Sequence, residues 1–428
     1  MYTDNQSLRR ISILLMLWFF ILLPCQAGDV TLTLDQALSL FYKRNLDIIA
    51  AQYNIDQARA QEIIAGAIPN PTFNVDIEQI SPRNRVNPGN SPITEGGPYY
   101  NFLVQQLIQT AGKRGLGMES SRLGTEASEE DLQDALRTLT NAVRKAYYAL
   151  LLAQKNAEIA EDNTARYQQL WEVNRLRLKQ GDISEADFLR IEVEKLKAES
   201  DWNNATASVK AAQTELAKLL AWPDNIMSFK AKDEWPDKMP LTEKANEQAL
   251  LEKASQQRPD IAAAKTRVEQ AQKQLTLAKR LAIPDVTVGV GYSHDPQNLN
   301  SDFAQVQVSV PIPLFYQKQG EVSQAAVGFQ NAQLNLAQTE QTLRADVVAS
   351  LAKWQAAEKV VNRYEQDILT KIDQIRESAE LSYLNGATGI IDLVEAERVH
   401  KSALLDYYTA LNNRTLTYAD LQMAVGDK

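Results

Sequence analysis

The sequence predicts a mainly α-helical, internally duplicated chain in which two pairs of β-strands are set between long helices. Three observations carry this. A glycine-centred turn occurs twice, as Lys179-Gln180-Gly181-Asp182-Ile183-Ser184-Glu185-Ala186-Asp187 and as Leu384-Asn385-Gly386-Ala387-Thr388-Gly389-Ile390-Ile391-Asp392. Displacing the chain by the 205 positions that separate Gly181 from Gly386 also aligns Lys113 with Lys318, Gly115 with Gly320, Asp187 with Asp392, Glu192 with Glu397 and Leu216 with Leu421. Upstream, the 213 positions between Asp47 and Asp260 also separate Ile48 from Ile261, Gln57 from Gln270 and Pro71 from Pro284. Such a period means two copies of a large unit, with repeats 28–222 and 223–428 and a longer loop between Pro71 and Lys113 in the first. The second observation is the absence of proline between Pro98 and Pro223 and after Pro313, which permits very long helices. The third is strand-period alternation at matching points of the two repeats.

The composition narrows the possibilities. The 428 residues carry a net charge of −9 and one cysteine, and so acidic a chain is not expected to bind nucleic acid. Arg9 and Arg10, an apolar run from Ile11 to Leu23 and the small-residue end at Ala27 form a secretory signal peptide spanning 1–27. Cys25 has a second reading as a lipid-attachment site, although Pro24 stands where such sites usually carry a small residue. Once 1–27 is removed no cysteine remains, which excludes disulfides and thiolate metal sites. No other stretch is apolar enough for a spanning helix, so a membrane would have to be crossed with strands.

From Thr33 to about Ala67, Leu34, Ala37, Leu38, Phe41, Ile48, Ala51, Ile55 and Ala58 recur at helical spacing, with the threonines and Asp35 suited to a helix start. Pro69 and Pro71 stop that helix, and a strand is expected near 71–80. A breaker-rich loop, Ser81 to Pro98, leads to a second strand near 99–108. The region from Leu116 to Lys179 then favours helix formers, and some 65 residues would reach roughly 100 Å. Leu136, Leu139, Val143, Ala146, Leu150 and Ala153 give it a heptad-like seam. The second repeat has strands near 285–293 and 303–311, joined by a polar loop. Phe73, Val75, Ile77, Val286, Val288 and Val290 are expected to face lipid, with Tyr99, Tyr100, Tyr292 and Phe303 at the interfaces. Four strands cannot close a membrane barrel, which needs about eight; three copies would supply about twelve.

With these features the chain resembles the TolC family of outer-membrane efflux proteins, over nearly its whole mature length. Gly112-Lys113-Arg114-Gly115, just after the second strand, is similar to the Gly-Gly-Lys-Arg form of the heavy-metal (cobalt-zinc-cadmium, CzcC-type) branch, with Ala111 in place of the first glycine. The resemblance implies a homotrimer in which a twelve-stranded outer-membrane β-barrel, four strands per chain, continues into a periplasmic α-helical tunnel. It implies as partners a periplasmic adaptor protein, an RND-type inner-membrane pump and outer-membrane lipid. It also implies that Asp392 and Glu395 ring the periplasmic constriction, that Tyr383 with Asp187 latches the closed state, and that the turns at Gly181 and Gly386 dock the adaptor. The family's latch arginine is replaced by Thr388.

No reaction is indicated. The chain has no nucleophile motif, no phosphate-cradling loop and no His or Cys cluster, so no catalytic residue, cofactor site or metal site is assigned. Its two histidines are expected in an exterior loop (His294) and a helix (His400). The acids at the turns have a local reading too, since Asp182, Ser184, Glu185 and Asp187 can cap a helix; Asp392 and Glu395 are placed too far into their helix for that. The expected function is an outer-membrane duct passing heavy-metal cations. Alternatives are the same duct with drugs, amphiphiles or a secreted polypeptide as cargo, or a periplasmic coiled-coil adaptor without a pore.

Overall fold

The computed structural model describes residues 30–78, 98–223, 229–232, 234–236, 246–295 and 301–427. The predicted signal segment and most of the loop before the second strand lie outside the described residues. The chain opens with β1 (Val30–Leu32), followed by α1 (Leu34–Arg44) and α2 (Leu46–Gly66). The single expected helix is therefore two. Asn45 takes an extended conformation and its side chain donates to the Leu219 carbonyl at 2.8 Å, which breaks the run. Thr33 is the cap and Asp35 stands in the first turn: Thr33 Oγ1 accepts from Gln36 N–H and the Gln36 side chain accepts from Thr33 N–H. Ala37, Phe41, Ile48 and Ile55 are buried, in accord with the helical spacing.

Strands β2 (Thr72–Glu78) and β3 (Tyr99–Ile108) precede α3 (Lys113–Gln180) and α4 (Glu185–Leu219); β4 (Phe229–Ala231), α5 (Glu247–Gln257) and α6 (Pro259–Arg280) lead to β5 (Val286–Asp295) and β6 (Ser301–Ser309). The chain ends with α7 (Gln319–Arg363), a π-helical turn (Tyr364–Ile368), α8 (Leu369–Leu384) and α9 (Ile390–Val425). The second long helix is thus interrupted where the first is not. The pairing of β1 with β4, parallel and three residues long, has no periodicity in sequence; Tyr147 fastens it by donating to Leu32 O and accepting from Lys232 N–H.

The four predicted strands form one antiparallel sheet in the order β2-β3-β5-β6. Cross-strand register separates two faces. Phe73, Val104, Val290 and Val306 align on one, as do Val75, Phe102 and Tyr292. Thr72, Gln105, Gly289 and Gln307 align on the other, as do Asn74, Leu103, Gly291 and Gln305. The polar face carries a ladder of amides: Asn74 donates to Gln105 at 2.8 Å, Gln105 to Gln307 at 3.2 Å and Gln305 to Asn101 at 2.6 Å. Leu103 is buried on this face because Gly289 and Gly291 leave room for it; a Cβ at Gly291 would meet the Phe102 carbonyl at 2.5 Å. Tyr100 and Tyr292 share the apolar face, whereas Tyr99 and Phe303 fall on the polar one. His294 belongs to β5 rather than to a loop, and its Nδ1 lies 2.8 Å from Asp302.

The described residues form two compact units, each drawing on both predicted repeats: one from Met1–Asn45, Asn141–Leu241 and Trp354–Ala419, the other from Leu46–Thr140, Thr242–Lys353 and Asp420–Lys428. The second unit contains the sheet and a buried ionic network. Arg258, almost fully buried, pairs with Asp260 at 2.6 Å and Asp346 at 3.0 Å. Arg137 donates to the Met423 carbonyl at 2.6 Å, and so ties the end of α9. Burial pushes the Asp260 carboxyl up, but hydrogen bonds and charge from Arg258, with Arg137 beyond, outweigh it and hold its pKa below the ordinary aspartate value. Asp260 therefore contributes stability that is present above the ordinary aspartate pKa and lost as pH falls through its lower folded value. Thermal unfolding in detergent is expected to show this acid loss, and Asp260→Asn to lower stability at neutral pH while flattening the acid limb; an unchanged acid limb would contradict the assignment.

Candidate functional site

Two groups of residues stand out, one at each unit's characteristic feature. The first lies where β3 runs into α3. Gly112 has φ +68° and Ala111 +56°, so the chain makes its bend in left-handed backbone, which alanine tolerates at a cost of about 1 kcal/mol. The bend aims Lys113 at the lead-in to β5. Its ammonium donates to the Ile283 carbonyl and pairs with Asp285 at 2.7 Å, while Thr110 donates to Asp285 through N–H at 2.8 Å and to Pro284 O through its hydroxyl at 2.7 Å. Burial raises the Asp285 pKa, but these hydrogen bonds and the lysine charge hold it below the ordinary range. Arg114 donates to the Gly66 carbonyl at 2.8 Å. Gly115 sits inside α3 with open space beside it. The motif is thus a clasp that fastens strand ends to neighbouring helices.

The second group surrounds the two glycine turns. Gly181 (φ +82°) and Gly386 (φ +69°) supply the left-handed residue. Asp182 N–H returns to Arg177 O and Ala387 N–H to Ser382 O, both at 2.9 Å, closing matched helix ends. Beyond the first turn Ser184 caps α4: its hydroxyl accepts from Asp187 N–H at 3.1 Å and donates to the Asp187 carboxylate at 2.7 Å, and Arg190 holds the same carboxylate at 3.1 Å.

Tyr383 is buried among Ile191, Ile390 and Leu393, and its hydroxyl donates to Asn174, which has no exposed surface. The structure therefore does not bring Tyr383 to Asp187: each has other partners, because Asp187 is occupied by its own helix start. Arg177 lies over the Tyr383 ring at 5.1 Å. Asp392 and Glu395 are both exposed. Asp392 stands in the first turn of α9, so the helix dipole acts on it after all, and Glu395 pairs with Arg398 at 3.5 Å.

Sequence reading missed the ionic bridge among these helices. Arg166 of α3 pairs with Glu397 of α9 at 2.5 Å and with Glu380 of α8 at 2.8 Å. Glu397 is buried, and burial together with Glu194 and Glu397 raises the pKa of the neighbouring Tyr167 phenol. A buried asparagine, Asn174, was the other omission; a polar residue on an otherwise packed helical seam is its only sequence signal. His400 bonds Asp373 at 3.0 Å. Among the described residues no group of three or more His, Cys, Asp and Glu is placed to hold a metal, and no helix is long and apolar enough to cross a membrane.

The family described as outer membrane efflux protein matches residues 37–221 and 250–427. The cobalt-zinc-cadmium resistance protein CzcC of Cupriavidus metallidurans is 23% identical over 380 residues, covering 89% of this chain and 86% of that protein. The pyoverdine export outer membrane protein OpmQ of Pseudomonas putida is also 23% identical, covering 85% of this chain and 79% of its own length. Among solved structures CusC superposes with a TM-score of 0.76 at 21% identity, covering 92% of each chain.

Removing the clasp lysine by Lys113→Met strips Asp285 of its cation and is expected to cost about 3 kcal/mol. Arg114→Ala, which frees only a carbonyl, is expected to cost about 1 kcal/mol. Unfolding of the two variants in detergent measures the difference, and equal losses would contradict the clasp.

Proposed function

The chain belongs to the outer membrane efflux protein family, and we propose that it is the outer-membrane exit duct of a three-part export system, passively passing heavy-metal cations from the periplasm or a pump to the exterior. It is an outer-membrane protein with a long helical periplasmic part. The observation that carries the duct is the two-faced sheet: an apolar face suited to lipid, an amide-lined face suited to water, and strands β2 and β6 left at its edges. Three copies supply twelve strands and close the barrel. A periplasmic adaptor and an RND-type inner-membrane pump complete the system, with the turns at Gly181 and Gly386 as the adaptor's docking points. The repeats 28–222 and 223–428 each contribute one strand pair and one helical hairpin.

Metal cargo is supported by the likeness to CzcC over most of the chain and by the Gly112-Lys113-Arg114-Gly115 motif. The equal identity to a pyoverdine export protein supports a second reading, a small organic cargo in the same duct. At the periplasmic end Asp392 and Glu395 form two acidic rings in the trimer, which attract cations and repel one another when the aperture narrows. Tyr383 holds α8 to α3 through Asn174, and Asp187 fixes the start of α4.

Growth of a deletion strain on zinc, cobalt, cadmium, nickel, copper and silver salts, beside a panel of drugs and siderophores, tests the cargo. Sensitivity confined to metals is expected; sensitivity to organic compounds alone would move the cargo to the second reading. In planar bilayers, the double change Asp392→Ala with Glu395→Ala is expected to raise single-channel conductance or lower cation selectivity severalfold. Unchanged conductance and selectivity would remove both acids from the constriction.

A further inference from the structure

We infer that adjacent copies of this chain meet at a seam in which residues 310–319 of one copy are clasped by residues 67–72 of the next, with Gln319 and Asn70 forming a neutral amide pair. This rests on the reading of the sheet as part of a multi-copy barrel. The sheet order leaves β2 and β6 at opposite edges. Antiparallel alternation continues when β6 of one copy lies beside β2 of another, just as β3 lies beside β5 within the chain.

The internal seam shows what the outer one requires. Where β3 leaves the sheet, Lys113 and Thr110 grip the lead-in to β5 at Ile283, Pro284 and Asp285. The exit of β6 reaches its helix through a longer segment, from Ser309 to Gln319, and repeats only the last left-handed residue before the helix, displaced by the 206 positions between Gly112 and Lys318. Gly112 has φ +68° and Lys318 +65°; each accepts the first bond of the following helix at 3.0 Å, from Leu116 and Val322. The helices begin at Lys113 and Gln319. Gln319, not Lys318, therefore occupies the clasp position, and the Lys318 ammonium is engaged by Glu321 at 2.9 Å.

On the other side, Ala67-Ile68-Pro69-Asn70 repeats Ala282-Ile283-Pro284-Asp285 when the register is 215, two positions beyond the 213 that pairs Pro71 with Pro284, and in that register Asn70 stands where Asp285 does. Both members of the ion pair are thus exchanged together, lysine for glutamine and aspartate for asparagine. A change on one side only would leave a charge facing an uncharged partner. Gln319 Oε1 accepts from Gln317 N–H at 2.8 Å, so its NH2 end is the donor that corresponds to the Lys113 ammonium, with Ile68 O and the Asn70 side chain as its acceptors across the seam.

Apolar surface lies on both sides. On the exit Ile312, Leu314 and Phe315 are 76, 73 and 96% exposed; on the lead-in Ile63, Ile64 and Ile68 are 77, 63 and 63% exposed. Neither group is covered within one chain, and the inferred seam would set each against the other.

Full-length protein carrying both Asn70→Cys and Gln319→Cys, oxidised in outer-membrane vesicles, is expected to run as linked dimers and trimers on non-reducing gels. Each single variant, whose mature chain carries only the introduced cysteine, is expected to run without the linked trimer. Native mass of the unoxidised protein separates the two levels of failure. Three copies without a cross-link would overturn the seam and leave the trimer; a single copy would overturn the trimer and the seam with it. The exchange is also tested without cysteines: Gln319→Lys and Asn70→Asp are each expected to lower the temperature at which the assembly dissociates, and the double variant to recover most of that loss. A double variant no better than the sum of the two would overturn the pairing. Strong quenching of a fluorophore at Phe315→Cys by brominated lipid would overturn the apolar part by assigning that surface to the bilayer.

Discussion

A membrane offers no hydrogen bonds to a strand edge, and that constraint organises this molecule. The four-stranded sheet ends at β2 and β6, and each edge presents backbone N–H and C=O groups that hydrocarbon cannot satisfy, at several kcal/mol per group. Short water-soluble sheets can shield an edge with a charge, a bulge or a covering helix. Here the face that would meet lipid carries Phe73, Val104, Val290 and Val306 in one row, and in the proposed duct the edges are paired with other copies. The amide ladder on the opposite face fits the same scheme, because Gln105 and Gln305 remain wettable while donating to Gln307 and Asn101.

The helical part solves a different problem. Long helices with modest apolar stripes are held at discrete points by polar contacts: Arg166 between Glu380 and Glu397, Tyr383 on Asn174, and Lys401 on Asp201. Contacts of this kind have fixed geometry and are lost as units, so hairpins joined by them can exchange one arrangement for another more readily than helices joined by a continuous apolar core. The ring of Trp171 adds two cationic contacts, from Arg175 and Lys195.

What was legible in the sequence follows from which signals are local. The spans of all four sheet strands emerged from period-two alternation, and the left-handed conformations of Gly181 and Gly386 from glycine at a helix end. The break at Asn45 was not legible, since it depends on a bond to Leu219 far along the chain. The pairing of β1 with β4 was hidden by its shortness. Alignment of Lys113 with Lys318 was misleading by one residue: identity favoured the lysines, whereas φ and the helix starts align Gly112 with Lys318. At the tip the family pattern suggested Tyr383 with Asp187; in this chain the Tyr383 hydroxyl donates to Asn174 and the Asp187 carboxylate accepts from Ser184, contacts that no local spacing announces. Arg166, Glu380 and Glu397 come from three helices, and no spacing rule links them.

The number of chains in the native assembly tests the central claim most directly. Native mass spectrometry of protein released from outer membranes in mild detergent is expected to give three chains per particle, twelve strands in all. A particle of one chain, with four strands and two open edges, would contradict the account.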